Sequence, residues 1–178
     1  MEEAVQAEKW MRAQKILAHA DFDNSATAAQ RALLRGRLDL TTDHPYRAVQ
    51  HLEASVEKDD LCSDAWYNLG KACELTGKKE RAEESYKNAL ALNPDHTDAL
   101  LNIHRLLDQS GKSDQALALL RRALAGRHAE PALFQAYLRY RARHGGLKQV
   151  VRIRQKMAEL VPSDEANKRA LAHLYHRT

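Results

Sequence analysis

Three separate series of residues return along this chain at one interval. Gly77, Gly111 and Gly145 are spaced evenly, each one period from the last, and so are Ala48, Ala82 and Ala116, with Val150 next in line. Ala89 and Ala123 repeat the interval after Ser55, and Pro94 and Pro162 are separated by twice that distance. A recurrence on this scale narrows the possible folds sharply. Each repeat is one small unit that cannot bury its apolar face alone, so neighbouring units must stack to complete a core.

The clearest copy runs from Ser63 to His96. Its apolar side chains fall at Ala65, Trp66, Leu69, Ala72 and Cys73, and again at Ala82, Tyr86, Ala89 and Leu90. Both sets follow the three-and-four spacing of a helix with one buried stripe. Thr76-Gly77-Lys78 interrupts the pattern, and a glycine there can adopt the left-handed conformation that ends a helix. Gly70 and Ala82 are small enough to let two antiparallel helices cross closely. Asn93-Pro94 ends the second helix, because a residue before proline is pushed out of the helical region. Asp95 to Thr97 offers caps for the next helix. Each unit is therefore expected to be a helix–turn–helix hairpin.

These residues resemble the tetratricopeptide repeat. Its pattern is met by Trp66, Leu69-Gly70, Ala82, Tyr86, Ala89 and Pro94, with Cys73 where the family usually has a tyrosine. The copy at 97–130 keeps Leu100, Ile103, Leu107, Gly111, Ala116, Leu120 and Ala123, but has His104 in place of the small glycine. The copy at 131–162 keeps Phe134, Tyr137, Gly145, Val150, Met157 and Pro162, and departs at Arg141 and Arg154. A degenerate copy at 28–60 fits through Ala48, Val49, Leu52 and Val56. There Leu34 and Leu38 are the expected buried pair, which makes the turn TTDHP one residue longer than in the other copies. Residues 1–24 are expected to hold an N-terminal helix and a connector, and residues 163–178 a C-terminal capping helix through Ala166, Ala170, Leu171 and Leu174. The resemblance implies an all-α fold over 1–178, a right-handed superhelix of stacked antiparallel hairpins. The first helix of each pair would line its concave face.

Composition agrees with helix and argues against other classes. Apolar residues are 44% and charged residues 29% of the 178, a balance that suits a folded chain. The apolar set is dominated by Ala and Leu, which lose little side-chain freedom in a helix. No run of about 18 apolar residues exists to cross a membrane, and the acidic start lacks the pattern of a secretory signal. Cys62 and Cys73 have no ligand spacing, so two reduced thiols in a cytoplasmic protein are expected. His173 and His176 lack the companions a metal would need. Asp21, Asp23 and Asn24 lack the glycine and closing glutamate of a calcium loop. No nucleophile elbow, phosphate cradle or metalloprotease motif is present. An enzyme, a cofactor and a metal are therefore not expected.

Function then rests on surface residues that the repeat turns toward the concave face. These are Tyr67, Asn68 and Lys71 in one copy, Leu101, Asn102 and Arg105 in the next, and Gln135, Arg139 and Arg143 in the third. Lys71, Arg105 and Arg139 again follow one another at the repeat interval. Such a ladder suits a peptide segment bearing acidic residues or a terminal carboxylate, because a guanidinium can grip a carboxylate with two hydrogen bonds. The expected function is a protein-interaction adaptor or scaffold holding a partner peptide. The five-residue clamp with which some tetratricopeptide domains hold chaperone tails does not carry over. Asp98 and Asn102 stand where a Lys and an Arg would be needed.

Charge is unevenly spread. Residues 1–119 hold 15 Lys and Arg against 20 Asp and Glu, whereas residues 120–178 hold 13 against 4. One alternative is therefore a binder of nucleic acid or another anionic surface, through Arg121, Arg122, Arg139, Arg141, Arg143, Lys148, Arg152, Arg154 and Lys156. Another is a secretion chaperone of tetratricopeptide type, which the basic end argues against. The same polarity allows weak head-to-tail self-association.

Overall fold

The computed structural model describes residues 25–125, 130–144 and 146–175; the expected N-terminal helix lies outside them. Every element among the described residues is a helix: α1 (Ser25–Thr41), α2 (Pro45–Lys58), α3 (Ser63–Leu75), α4 (Lys79–Leu92), α5 (Thr97–Gln109), α6 (Ser113–Ala125), α7 (Pro131–His144), α8 (Leu147–Leu160) and α9 (Glu165–Tyr175). The interval read from the sequence governs where they begin. The starts of α3, α5, α7 and α9 follow one another at one period, and so do those of α2, α4, α6 and α8. The elements group into two compact units, one ending at Ala99 and one beginning at Leu100.

In the first unit α1 packs on α2, α2 on α3 and α3 on α4. The recurring alanines are the tightest points, with Ala48, Ala82 and Ala89 all fully buried. Gly70 supplies the close approach, and the nearest side chain facing it is that of Tyr86. A Cβ at Gly70 would lie 2.5 Å from the Tyr86 ring. Ser55, in the register of Ala89, is buried and donates its hydroxyl to the Ala29 carbonyl at 2.9 Å. That bond satisfies a polar group which would otherwise be costly inside.

The degenerate copy departs from expectation in two ways. Leu34 is 39% exposed, while the buried positions of α1 include Ala29, Gly36 and Asp39, with Leu38 only half-buried. Gly36 lies one period before Gly70 and plays its part, since a Cβ there would meet Leu52 at 2.4 Å. A leucine at Gly36 would have no room, so the stripe follows the repeat register and not the leucines. The turn is also of ordinary length, the same as that between α3 and α4. Asp43 stands in the register of Gly77 and Gly111 and takes their left-handed conformation, with φ of 59° against 76° and 75°.

In the second unit α6 packs on α7, α7 on α8 and α8 on α9. Its core includes Ile103, Leu106, Ala116, Leu120, Phe134, Tyr137 and Met157. Arg141 and Arg154, the two departures from the apolar pattern, both find local uses. The Arg141 guanidinium lies 5.3 Å from the Tyr137 ring centre. Arg154 donates to Asn167 Oδ1 at 3.1 Å, and Asn167 Nδ2 returns a bond to the Arg154 carbonyl at 2.9 Å. This exchange corrects the stripe expected for α9. Asn167 is the buried residue there and Ala166 is exposed, because the amide completes a bond that alanine cannot make.

Candidate functional site

Each unit carries a cleft lined by first helices of the repeat, and the expected binding residues divide between the two. The first cleft, of about 380 Å³, is lined by Tyr67, Asn68, Lys71 and Asp64 from α3, by Arg37, Leu40 and Thr41 from α1, and by His96 and Asp98. Tyr67 is its aromatic centre. The His96 ring lies 4.6 Å from it, and Lys71 Nζ stands 5.8 Å over it. His96 Nδ1 accepts the Ala99 amide at 3.4 Å and so helps cap α5. Its Nε2 faces Asp64 at 3.5 Å. Asn68 is buried, and its amide donates to the Asp64 carbonyl within its own helix at 2.7 Å.

Arg37 is the residue that sequence reasoning missed. It lies one period before Lys71 and lines the same cleft. Stepping back by that interval from Lys71 finds it; choosing Leu34 and Leu38 as the buried pair hides the register. Two basic groups, Arg37 and Lys71, and two acidic ones, Asp64 and Asp98, line the first cleft, which is formally charge-balanced.

The second cleft, of about 470 Å³, lies between α5 and α7. From α5 come Leu101, Asn102, His104, Arg105, Asp108 and Gln109, and from α7 come Ala136, Arg139, Tyr140 and Arg143. The structure thus brings together Leu101, Asn102, Arg105, Arg139 and Arg143. Gln135 is exposed and lines neither cleft. Three guanidinium groups meet one carboxylate here, a formal excess of two positive charges. Asp108 is heavily engaged: Arg143 lies at 3.0 Å, His144 at 3.4 Å and the Ser113 hydroxyl at 3.3 Å.

His104, Asp108 and Tyr140 are not among the site residues expected from the sequence. His104 is only 8% exposed, and its Nε2 has no hydrogen-bond partner. Tyr140 meets it edge-on at 5.9 Å, stacks on His144 at 4.4 Å and donates its hydroxyl to the Ser113 carbonyl at 3.1 Å. Burial holds the His104 imidazole below its ordinary pKa of 6.5; Asp108 opposes that shift, and Arg139 and Arg143 reinforce it. The outcome is an uncharged imidazole beside a cluster of fixed positive charges.

Elsewhere the chemistry is quiet. No group of three or more His, Cys, Asp or Glu among the described residues is placed to hold a metal ion. No helix among them is long and apolar enough to cross a membrane. Cys73 is fully buried, and that burial pushes its thiol pKa up, against the nearby positive charges of Arg81 and Lys78.

Comparison with known proteins agrees with this architecture. Tetratricopeptide repeat protein 8 of Caenorhabditis elegans is 37% identical over 65 residues, which are 36% of this chain and 13% of that protein. The chain thus spans a small part of that relative's length. Among solved structures, that of MamA superposes with a TM-score of 0.67 at 23% identity, covering 84% of this chain and 85% of the other. YrrB, described as a tetratricopeptide protein with an unusual peptide-binding site, superposes with a TM-score of 0.61 at 17% identity, covering 84% and 77%. Both likenesses speak to fold. Residues 44–161 match the family model described as the cilia and flagella-associated protein 70 middle TPR-like domain. The chain, with its recurring helical hairpins and their buried alanines, belongs to that tetratricopeptide-like family.

Proposed function

We propose that this chain is a protein-interaction scaffold that binds a peptide segment of a partner along its first helices, with an acidic side chain or a terminal carboxylate received in the second cleft. The observation that carries this reading is the grouping of Arg105, Arg139 and Arg143 around one cleft with a single carboxylate among them. Guanidinium groups suit carboxylates because their planar fork matches the two oxygens. Leu101 and Ala136 add apolar surface beside the charges, as a peptide side chain would require. In the first cleft Tyr67, Asn68 and Lys71 join Arg37, but the facing Asp64 and Asp98 disfavour an anion there. That cleft fits a polar or mixed-charge segment. The peptide-binding site named for YrrB, a protein of similar fold, is consistent with this use of the scaffold.

The test is direct binding, read by fluorescence anisotropy of labelled hexaglutamate against hexaglutamine. Hexaglutamate is expected to bind the wild type and to lose about 1,000-fold or more in affinity on combined Arg105→Gln, Arg139→Gln and Arg143→Gln substitution, at roughly 1.5–3 kcal/mol for each charge-assisted contact. Equal affinity for both peptides, or no effect of the triple substitution, overturns the reading. A random-sequence oligonucleotide that binds more tightly than hexaglutamate at physiological salt, with the steep salt dependence of phosphate binding, would favour the anionic-surface alternative.

A further inference from the structure

His104 is the unusual member of the second cleft. It stands in the register of Gly36 and Gly70, where the first unit has no side chain. In the second unit that position carries an ionisable ring, and the ring lines the same cleft as Arg139 and Arg143. Its Nε2 is buried without a partner. A buried polar atom left unsatisfied is uncommon and costs free energy.

We infer that the second cleft is a proton-linked carboxylate site, in which a carboxylate drawn in by Arg139 and Arg143 binds together with one proton carried by His104. The inference rests on the peptide-binding reading above and adds its regulation. The groups acting on His104 are Asp108 on its own helix and Arg139 and Arg143 from α7. Arg105 lines the same cleft, and Tyr140 and His144 complete the α7 wall around it. From α6 the Ser113 hydroxyl is engaged with Asp108. Arg139 and Arg143 oppose a charge on the imidazole, and the carboxylate that could support one is already shared by Arg143, His144 and Ser113. A bound carboxylate offsets the arginines and adds a negative charge near the ring. Both changes favour the imidazolium. By linkage, a ligand that raises proton affinity binds more tightly as pH falls, by at most about tenfold per pH unit for one proton.

The experiment measures the affinity of labelled hexaglutamate at pH 7.5 and pH 6.0, where glutamate side chains stay ionised. Proton uptake is read by calorimetry in buffers of different ionisation enthalpy. Wild type is expected to tighten about fivefold over this interval, with uptake of a fraction of one proton. His104→Gln is expected to keep binding that depends on Arg139 and to lose the pH dependence, by the same linkage. Should that variant fail to fold, the wild-type His104 ring signal in NMR carries the test, and its midpoint must rise when hexaglutamate is added. An amidated hexaglutamate and a hexaglutamine with a free C-terminus separate side-chain from terminal carboxylates; the coupling must follow whichever carboxylate binds. Binding that depends on Arg139 but takes up no proton, or a pH dependence that survives in His104→Gln and vanishes in His144→Gln, overturns this inference alone. Absence of hexaglutamate binding at both pH values overturns this inference together with the reading beneath it.

Discussion

The two clefts occupy equivalent places in the repeat and share a basic pair, Arg37 and Lys71 in the first and Arg105 and Arg139 in the second, but differ in their carboxylates. Lys71 of the first and Arg105 of the second lie one period apart, as do Asp64 and Asp98, yet both aspartates line the first cleft and neither lines the second. The second cleft adds Arg143 and keeps one engaged carboxylate. At the helix crossing, Gly70 admits the Tyr86 ring, whereas His104 brings an imidazole. The comparison teaches that the period decides where a cleft forms, while a few substitutions within that register decide what it can hold.

The largest expected effect tests the asymmetry itself. Arg37→Gln with Lys71→Gln should leave hexaglutamate affinity within about threefold, while Arg105→Gln with Arg139→Gln should weaken it by about 100-fold or more, given charge-assisted contacts of roughly 1.5–3 kcal/mol each. Anisotropy titration checks this, and equal losses from the two pairs would erase the distinction between the clefts.

The crossing comes next. Gly70→Ala places a Cβ against the fully buried Tyr86 ring, and Gly36→Ala does the same against Leu52. Each is expected to destabilise by about 1–3 kcal/mol through overpacking, measured as a lower midpoint in urea unfolding. Wild-type stability for both variants would mean that the crossings have slack.

A smaller effect is expected at the turns. Gly77→Ala should cost about 1 kcal/mol, because a Cβ is disfavoured in the left-handed region. Asp43→Gly should gain about 0.5–1 kcal/mol by relieving the same strain. The pair of opposite signs is read from the same unfolding curves.

The smallest effect is a pH slope. His104 stays neutral in the fold and its pKa lies below 6.5 there, so the unfolded chain binds the proton more readily. The stability this confers is present above pH 6.5 and is lost as pH falls from that value through the folded one. Wild type should show a drop in thermal midpoint between pH 7.5 and pH 5.5, and His104→Gln a smaller drop.

Much of the fold is visible in the unfolded string of residues. Ala48, Ala82 and Ala116 mark the fully buried crossings, and Gly77 and Gly111 mark the turns through their positive φ. Leu34 is misplaced when apolar character is weighed above register, although Gly36 lies one period before Gly70. Asp39 is invisible as a buried residue for a different reason. A carboxylate in a core position is tolerated only with partners, here His51 at 2.6 Å and Arg47 at 3.8 Å, and nothing in the spacing announces that they will meet it. Of the site, Lys71, Arg105 and Arg139 are legible as a periodic series. His104 and Tyr140 are not, since the period assigns one to a helix crossing and the other to a core stripe.

The helical hairpins, their period and the turns at Gly77 and Gly111 were determined by the sequence alone, because backbone hydrogen bonding within a helix and the conformational preferences of alanine, glycine and proline act over a few residues and repeat with the period. The charge state of each cleft was decided only in three dimensions. Arg143 meets Asp108, and Arg154 meets Asn167, each from a different helix. The energy of a charge or a buried polar group depends on such neighbours and on how far water is excluded, neither of which a linear spacing contains.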